Sequence, residues 1–485
     1  MSDHILTQVR RLLMRAVSTV DDPALTLALE RLDEPLRVAI AGKVKAGKST
    51  LLNAMVGEEL APTDAGECTR LVTWYRDGQR YEALLHLEDG NVEPRPFDRV
   101  QGALRITLGR PAKDVDHIEV RVPSRRLRTS TLIDTPGIGS ISADVSLRTM
   151  TFLEAAQDRA AQADAVIYLL RHMHSGDVRF LEAFHGDDIV QGSPVNTVGV
   201  LSRADEIGSC RPDSMETAAR VAARYQSDER MRRLCPVVVP VAGLLAVAGA
   251  TLREDEYRTL AAVAAAPTED AIDLMLTADR FGSPDATVKV PVAARRAVLA
   301  RLGLFGVRHS VQLIRGKQAP NAQALAAALT AHSGLDRLNE VLTAQFVSRG
   351  QVLKARSALS TLDLVVRSGK YGALTELVSW AEEIRSAAHE FVEVRLLHLL
   401  RSGRIPGKAE HLADLERLLG GSGAEHSARL GLPPDAHPHR LADAAREAIA
   451  RCNRLAEHPL SQRELRNAAR AAVRSCEAIV IALRY

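Results

Sequence analysis

The sequence predicts an α/β domain built on a mostly parallel sheet, followed by an all-α helical bundle. Three observations carry the prediction. Short apolar runs separated by turn residues recur from Leu36 to about residue 250, and helical stretches alternate with the later ones, as in a parallel sheet covered by helices. After about residue 290 no run reads as a convincing strand. A glycine-bearing loop, Gly42 to Ser49, joins the first apolar run to a helix.

Taken in chain order, residues 4–32 are helical. Ile5, Val9, Leu12, Leu13 and Val17 recur at helical spacing, and Leu25, Leu27, Leu29 and Leu32 follow the break at Asp21-Asp22-Pro23. The strands expected next are Val38–Ala41, Leu71–Tyr75, Tyr81–Leu87, His117–Val122, Thr131–Ile133, Ala165–Leu170, Val195–Leu201 and Val237–Val241. In the second half, Leu335, Leu338, Leu342, Phe346, Leu353, Leu359 and Leu362 mark one long amphipathic helix. Further helices are expected at about 373–402, 409–420, 438–457 and 461–483, with Gly/Pro loops near 403–407, 420–423 and 431–438.

Composition narrows the function classes. A hydrophobic content of 46% and a charged content of 25% are ordinary globular values and exclude wholesale disorder. An aromatic content of 4% and a net charge of +3 argue against base stacking or a large phosphate-backbone footprint, so no nucleic-acid partner is expected. The five cysteines, at 68, 210, 235, 452 and 476, show no CxxC pairing, which fits a reducing compartment. Asp3 and the arginines inside the first apolar run do not suit a signal peptide. The stretch nearest to a membrane span, Pro236–Leu252, is broken by two prolines and two glycines, so any membrane is expected to be met from the side. Only nine of the 63 basic side chains are lysines, and three of those nine fall between Lys43 and Lys48.

That cluster lies in Gly42-Lys43-Val44-Lys45-Ala46-Gly47-Lys48-Ser49, which fits G-x-x-x-x-G-K-[ST] between a strand and a helix starting at Thr50. Such a loop curls backbone N–H groups around phosphates, Lys48 reaches the β- and γ-phosphates, and the Ser49 hydroxyl coordinates Mg²⁺. Lys43 reads as surface charge. Lys45 reads either as a solvated lysine or as a built-in cation that offsets charge on the β–γ bridge. Asp134-Thr135-Pro136-Gly137 ends another strand; Asp134 can hold Mg²⁺ through water and the Gly137 N–H can sense the γ-phosphate. Thr69, just before the strand at Leu71, is the favoured residue to close over Mg²⁺ and position the attacking water, with Thr63 as competitor.

Base recognition falls to Ser202-Arg203-Ala204-Asp205. The Asp205 carboxylate can accept from guanine N1 and N2, donors that adenine lacks, while the flat Arg203 guanidinium covers the base. Ala242-Gly243, after the next strand, is where a small-residue loop would give a backbone N–H to guanine O6. The expected substrate and product are therefore GTP and GDP, with Mg²⁺ as cofactor. Ile138 stands where Ras-type switches place a water-orienting Gln. Water is then oriented by backbone groups, by Thr69 or by a second protein, and slow turnover that rises on self-association is the natural expectation.

The segments GKVKAGKSTLLNAMVG, APTDAGECTRLVTWYR, DTPG and SRADEIG resemble those of the bacterial dynamin-like GTPases, in particular the isoniazid-inducible mycobacterial branch. PVAGLLA at 240–246, HSGLDRL at 332–338, LKARSAL at 353–359 and LGGSGAEHSARLGL at 419–432 extend the resemblance over the chain. It implies a GTPase domain over 35–320, N-terminal helices 1–34 joining the neck, and a helical neck and trunk over 321–485. It also implies self-association through GTPase domains, a related dynamin-like partner, action on lipid from the cytoplasmic face of the cell membrane, and a link to cell-envelope stress. Val44 and Lys45 occupy the places where dynamins carry a water-positioning Gln and a cation-binding Ser. Asp177 resembles the start of the loop that dynamins use across the dimer. Residues 367–384, with Trp380, and the basic turn 401–408 are the candidate lipid contacts, with bundle core for Trp380 and a solvated loop for 401–408 as the favoured reading. A soluble regulatory GTPase of RNA or ribosome assembly and a nucleotide-gated protein scaffold remain as alternatives.

Overall fold

The computed structural model describes residues 2–61, 71–100, 103–136, 163–171, 181, 197–235 and 237–483. Its strands are β1 (Leu36–Gly42), β2 (Val72–Asp77), β3 (Glu82–Leu87), β4 (Val92–Arg95), β5 (Phe97–Val100), β6 (Ala103–Ile106), β7 (Val115–Val122), β8 (Ser130–Asp134), β9 (Ala165–Leu170), β10 (Thr197–Ser202) and β11 (Val238–Val241). Nine of them form one sheet in the order β11-β10-β9-β1-β8-β2-β7-β3-β4. From β11 to β8 every pairing is parallel. On the far flank β2 pairs antiparallel with β8, and β3 pairs antiparallel with both β7 and β4. Every residue of β1, β9 and β10 is buried, as parallel strands covered on both faces require.

Alternation along β1 divides the core. Val38 and Ile40 pack with Leu51 and Leu52 of the helix Lys48–Val56. Ala39 and Ala41 face Val166, Tyr168 and, from the helix Ser214–Ser227, Ala218 and Ala222. Each fully buried Leu in such a layer contributes about 1.5–3 kcal/mol. Beyond β11 a helical layer forms its own cluster around Leu245, Leu260, Phe281, Leu302, Phe305 and Leu329. The N-terminal helices Ser2–Thr19 and Pro23–Glu30 pack Val9, Leu12 and Leu25 against Leu359, Leu362 and Ile384. The last cluster joins the helices His389–Arg401, Ala409–Leu418, Pro438–Glu457 and Arg463–Ala482.

Three departures from expectation have physical reasons. The long helix expected from Leu335 to Leu362 is two, Leu335–Gln345 and Gly350–Arg367, separated by a 3₁₀ turn. The first half packs Leu335, Leu338 and Leu342 on the sheet; the second begins there with Leu353 and only then packs Leu359 and Leu362 on the N-terminal helices. At the break Gln345 Nε2 donates to Gly421 O at 2.6 Å and Arg349 donates to Gly420 O. The helix expected over 373–402 likewise divides at Ala388, into Thr375–Ala387 and His389–Arg401. Strands β4, β5 and β6 were not expected: each has only four residues, and β4 is a half-exposed edge strand containing Pro94, the position where a sheet tolerates proline.

Charged groups tie the first helices to the sheet. Asp164, just before β9, accepts from Arg31 Nη2 at 3.1 Å and from the Arg37 N–H at 2.9 Å. Lys354 Nζ donates to Leu32 O and Glu34 O at 2.8 and 3.0 Å. Asp164→Ala removes the ion-pair partner of a buried guanidinium and the acceptor of a buried N–H, and is expected to cost about 3–5 kcal/mol. The check is the urea midpoint, which Asp164→Asn should lower by less.

Candidate nucleotide-binding site

The parallel strands place their carboxyl ends along one edge: Gly42 closes β1, Asp134 closes β8, Ser202 closes β10 and Val241 closes β11. Ligands of open α/β sheets bind outside that edge.

The loop after β1 has the backbone a phosphate cradle needs. Gly42 has φ 152°, and a Cβ there would lie 2.9 Å from Leu169 O, so the loop leaves the sheet only with glycine at this point. Lys45 is left-handed (φ 61°), as is Gly47 (φ 94°), the residue that starts the helix Lys48–Val56. The first N–H groups of that helix have no intrahelical acceptor. Lys48 Nζ lies folded over the loop, donating to Gly42 O at 3.2 Å and Lys43 O at 3.3 Å. Burial lowers its pKa and the Asp134 carboxylate opposes that shift. Lys43 thus contributes a carbonyl to the loop. Val44 is 46% exposed and Lys45 is exposed as well.

Asp134 sits opposite the loop. Burial pushes its pKa up to about 6, with Lys48 and a hydrogen bond from Ser49 pulling the other way. Its Oδ1 is buried without a hydrogen-bond partner among the described residues. An orphaned carboxylate oxygen beside a serine hydroxyl is the hard oxygen donor set that Mg²⁺ prefers. Ser49 and Asp134 would therefore hold the ion, which supplies charge neutralisation at the phosphate oxygens. Thr63, Thr69, Gly137, Ile138 and Asp177 lie outside the described residues. Leu60 and Ala61, the last described residues before 62–70, are pinned by Asn53, whose Oδ1 accepts from both N–H groups at 2.9 and 2.7 Å.

Beside the phosphate cradle opens a pocket lined by Ala46, Gly47 and Thr50 from the loop and helix, by Ser202, Arg203, Asp205 and Glu206, and by Val241, Gly243 and Leu244. Three stretches widely separated in sequence thus meet. Arg203, left-handed at φ 52°, joins two of them: Nη2 donates to Lys45 O at 3.2 Å and Nη1 to Glu206 Oε1 at 2.8 Å. Asp205 is 5% exposed. Burial raises its pKa to about 6; Glu206 adds to the rise and Arg203 opposes it. The Ser202 hydroxyl donates to Leu170 O at 3.1 Å and so anchors the strand end. Of the expected pair Ala242–Gly243, the Ala242 N–H is already donated to Ser333 O at 2.9 Å. Gly243, first residue of the next helix, is the member of that pair that lines the pocket. Leu169, Val200, Val241, Leu244 and Glu206 also line it and were not singled out in the sequence. Their only sequence signal is a place at strand ends or beside the acidic motif.

Residues 38–202 match the dynamin family model. The chain is 39% identical over 464 residues to the isoniazid-induced protein IniC of Mycobacterium tuberculosis strain CDC 1551, covering 93% of this chain and 91% of that protein. It is 31% identical over 134 residues to the bacterial dynamin-like protein of Nostoc punctiforme, which covers 24% of this chain and 19% of that one. A solved structure described as an oligomerised bacterial dynamin pair covers 100% of this chain and 74% of its own at 13% identity, with a TM-score of 0.31. Fold and site define a P-loop protein of GTPase type carrying a large helical region. The chain belongs to the dynamin family, in its bacterial branch, and is similar along most of its length to IniC.

The buried Asp205 carboxylate is expected to make nucleotide binding in this pocket pH-dependent. Below about pH 6 Asp205 carries a proton and loses the acceptor capacity that the expected guanine N1–H and N2–H would use. GDP affinity measured in EDTA is therefore expected to fall as pH drops from 7 to 5. Because the folded pKa lies above the ordinary 3.8, this group's contribution to stability runs the other way, falling as pH rises between about 4 and 6. Titration calorimetry at pH 5, 6 and 7 checks the binding, and a constant affinity would contradict it.

Proposed function

We propose that the protein hydrolyses GTP to GDP and phosphate with Mg²⁺, and couples turnover to self-association and to binding or remodelling of the cell membrane from its cytoplasmic face. The observation that carries the reading is the meeting of the Lys48 loop, Asp134 and the buried Asp205 along one sheet edge. In this reading Gly42, Val44, Ala46, Gly47, Ser49 and Thr50 bind phosphate, Ser202, Arg203, Asp205 and Gly243 bind the base, and Thr69 and Gly137 complete the γ-phosphate side. Lys45 serves as the internal cation.

Residues 35–320 act as the GTPase domain, with 1–34 and 321–485 as neck and trunk. The packing of Val9 and Leu12 on Leu359 and Leu362 supports the shared neck. The likeness to a protein named as isoniazid-induced supports a role in the cell-envelope response to that drug. A related dynamin-like partner is part of the proposal. No helix among the described residues is long and apolar enough to cross a membrane. Trp380 packs into the N-terminal helix cluster, and Arg401 is buried against Glu416 at 2.7 Å. Leu460 is 86% exposed, in the turn between the two long helices Pro438–Glu457 and Arg463–Ala482, and is the stronger candidate for lipid contact.

The test measures GTP hydrolysis over a wide protein concentration range, with and without anionic liposomes, alongside co-sedimentation. The expected result is a rate per molecule that rises with concentration and with lipid, and a smaller rise in Lys45→Ala. A flat rate and no pelleting would remove self-association and membrane coupling from the reading.

A further inference from the structure

The helix Val292–Arg315 contains one residue that is not helical: Gly303, at φ 67° and ψ 173°. That region of backbone space is almost closed to residues with a side chain, and a glycine inside a helix already costs about 1 kcal/mol relative to alanine. The break lies against the base pocket. A Cβ at 303 would sit 3.8 Å from Asp205 Oδ2 and 3.4 Å from Leu244 Cδ1, and Asp205 and Leu244 both line that pocket. These are ordinary contact distances, so it is the backbone conformation, rather than lack of space, that requires glycine.

Both halves of the helix are held in place. Before the break Arg301 is ion-paired with Glu59 and with Glu256 at 2.5 Å, and it donates to Thr251 O at 3.0 Å. After the break Arg308 donates to Cys210 O at 2.8 Å and to Met275 O at 2.9 Å. Glu59 follows the phosphate-loop helix and Cys210 follows the base motif. A change in the angle between the two halves is thereby forced onto Leu244 and Asp205.

We propose that Gly303 is a positioning residue for guanine recognition: its broken-helix conformation sets the Asp205 carboxylate to accept from a purine carrying both N1–H and an exocyclic N2–H. The proposal rests on the GTP reading above and adds a determinant outside the sequence motifs of the site. A side chain at 303 drives the backbone toward continuous helix and shifts Asp205. The phosphate cradle, built on a different loop, stays as it is.

The test uses the full chain and fluorescent mant-GDP, with GDP, ADP and inorganic tripolyphosphate as competitors. Gly303→Ala is expected to weaken GDP at least tenfold, to leave tripolyphosphate within twofold, and to narrow the preference for GDP over ADP. GDP affinity within twofold of the parent overturns the proposal. So does an equal loss of GDP and tripolyphosphate, which marks general damage. If Gly303→Ala does not fold, Arg308→Gln, which releases one half of the helix, is expected to lose guanine preference at least threefold, and an unchanged preference overturns the proposal. A parent protein that binds ADP as well as GDP overturns the GTP reading itself, so the two failures are distinguishable.

Discussion

Lys48→Ala is expected to lower GTP turnover about 10²–10³-fold or more at saturating nucleotide. The Lys48 ammonium is half-buried over the phosphate loop and, among the described residues, donates to the carbonyls of Gly42 and Lys43 at 3.2 and 3.3 Å. Phosphate oxygens are charged acceptors and bind an ammonium more strongly than these neutral carbonyls do. The interaction grows as charge shifts onto the β–γ bridge, so its loss reduces turnover as well as affinity. Lys48→Arg should fail to restore the rate, because a rigid planar fork does not replace a compact charge on a flexible stem. Phosphate release and mant-GTP titration measure the two effects separately. Turnover within tenfold of the parent would mean that this loop does not carry the chemistry.

Asp205→Asn is expected to exchange guanine for xanthine. In the proposed guanine reading the carboxylate accepts from N1–H and N2–H; an amide would accept from N1–H but present its NH₂ to the other donor. Charge-assisted hydrogen bonds are worth about 1.5–3 kcal/mol each, so losing one and weakening the other reduces GTP affinity roughly 10²–10³-fold. Xanthine carries O2 in place of N2, and the Asn NH₂ can donate to it. XTP affinity should therefore rise in the same variant. The pocket is dry enough to enforce this difference, since Asp205 is 5% exposed and its pKa stands near 6. Competition of GTP and XTP against mant-GDP measures the exchange, and a variant that keeps its GTP preference would place base recognition elsewhere.

The scarcity of lysine has a structural counterpart. Besides Lys48, Lys354 sits between two parts of the fold, its ammonium donating to Leu32 O and Glu34 O at 2.8 and 3.0 Å. At both positions a single compact charge meets two backbone carbonyls. Arginine instead holds the planar and multidentate sites, as where Arg429 engages both oxygens of Glu393 and where Arg308 gathers carbonyls from two loops.

Much of the fold was legible in the sequence. The eight expected strands all occur, with described edges shifted by at most two residues, while positions 195 and 196 of the seventh lie outside the described residues. They were legible because strands buried on both faces, such as Ala165–Leu170, are continuous apolar runs bounded by turns. Half-exposed β4, with its proline, and the four-residue β5 and β6 gave no such signal. The phosphate loop was readable because its chemistry is contiguous: Gly42, Gly47 and Lys48 act through neighbouring backbone in a short loop.

Periodicity and local turn chemistry thus suffice for the sheet class, the helical second half and the phosphate loop, since each depends on residues a few positions apart. They are silent about where a helix changes allegiance. The break at Ala388 falls where packing passes from the N-terminal helix cluster to the C-terminal one, and the break after Phe346 is held by Gln345 and Arg349 on the carbonyls of Gly421 and Gly420. Nor do they say which groups finish the base pocket. Arg203 reaches Lys45 O across 158 positions, Ser333 takes the Ala242 N–H, and Gly303 comes to lie beside Asp205. Contacts this distant leave no periodic trace in the chain. They exist only once the sheet has aligned its strand ends and the helices have closed over them.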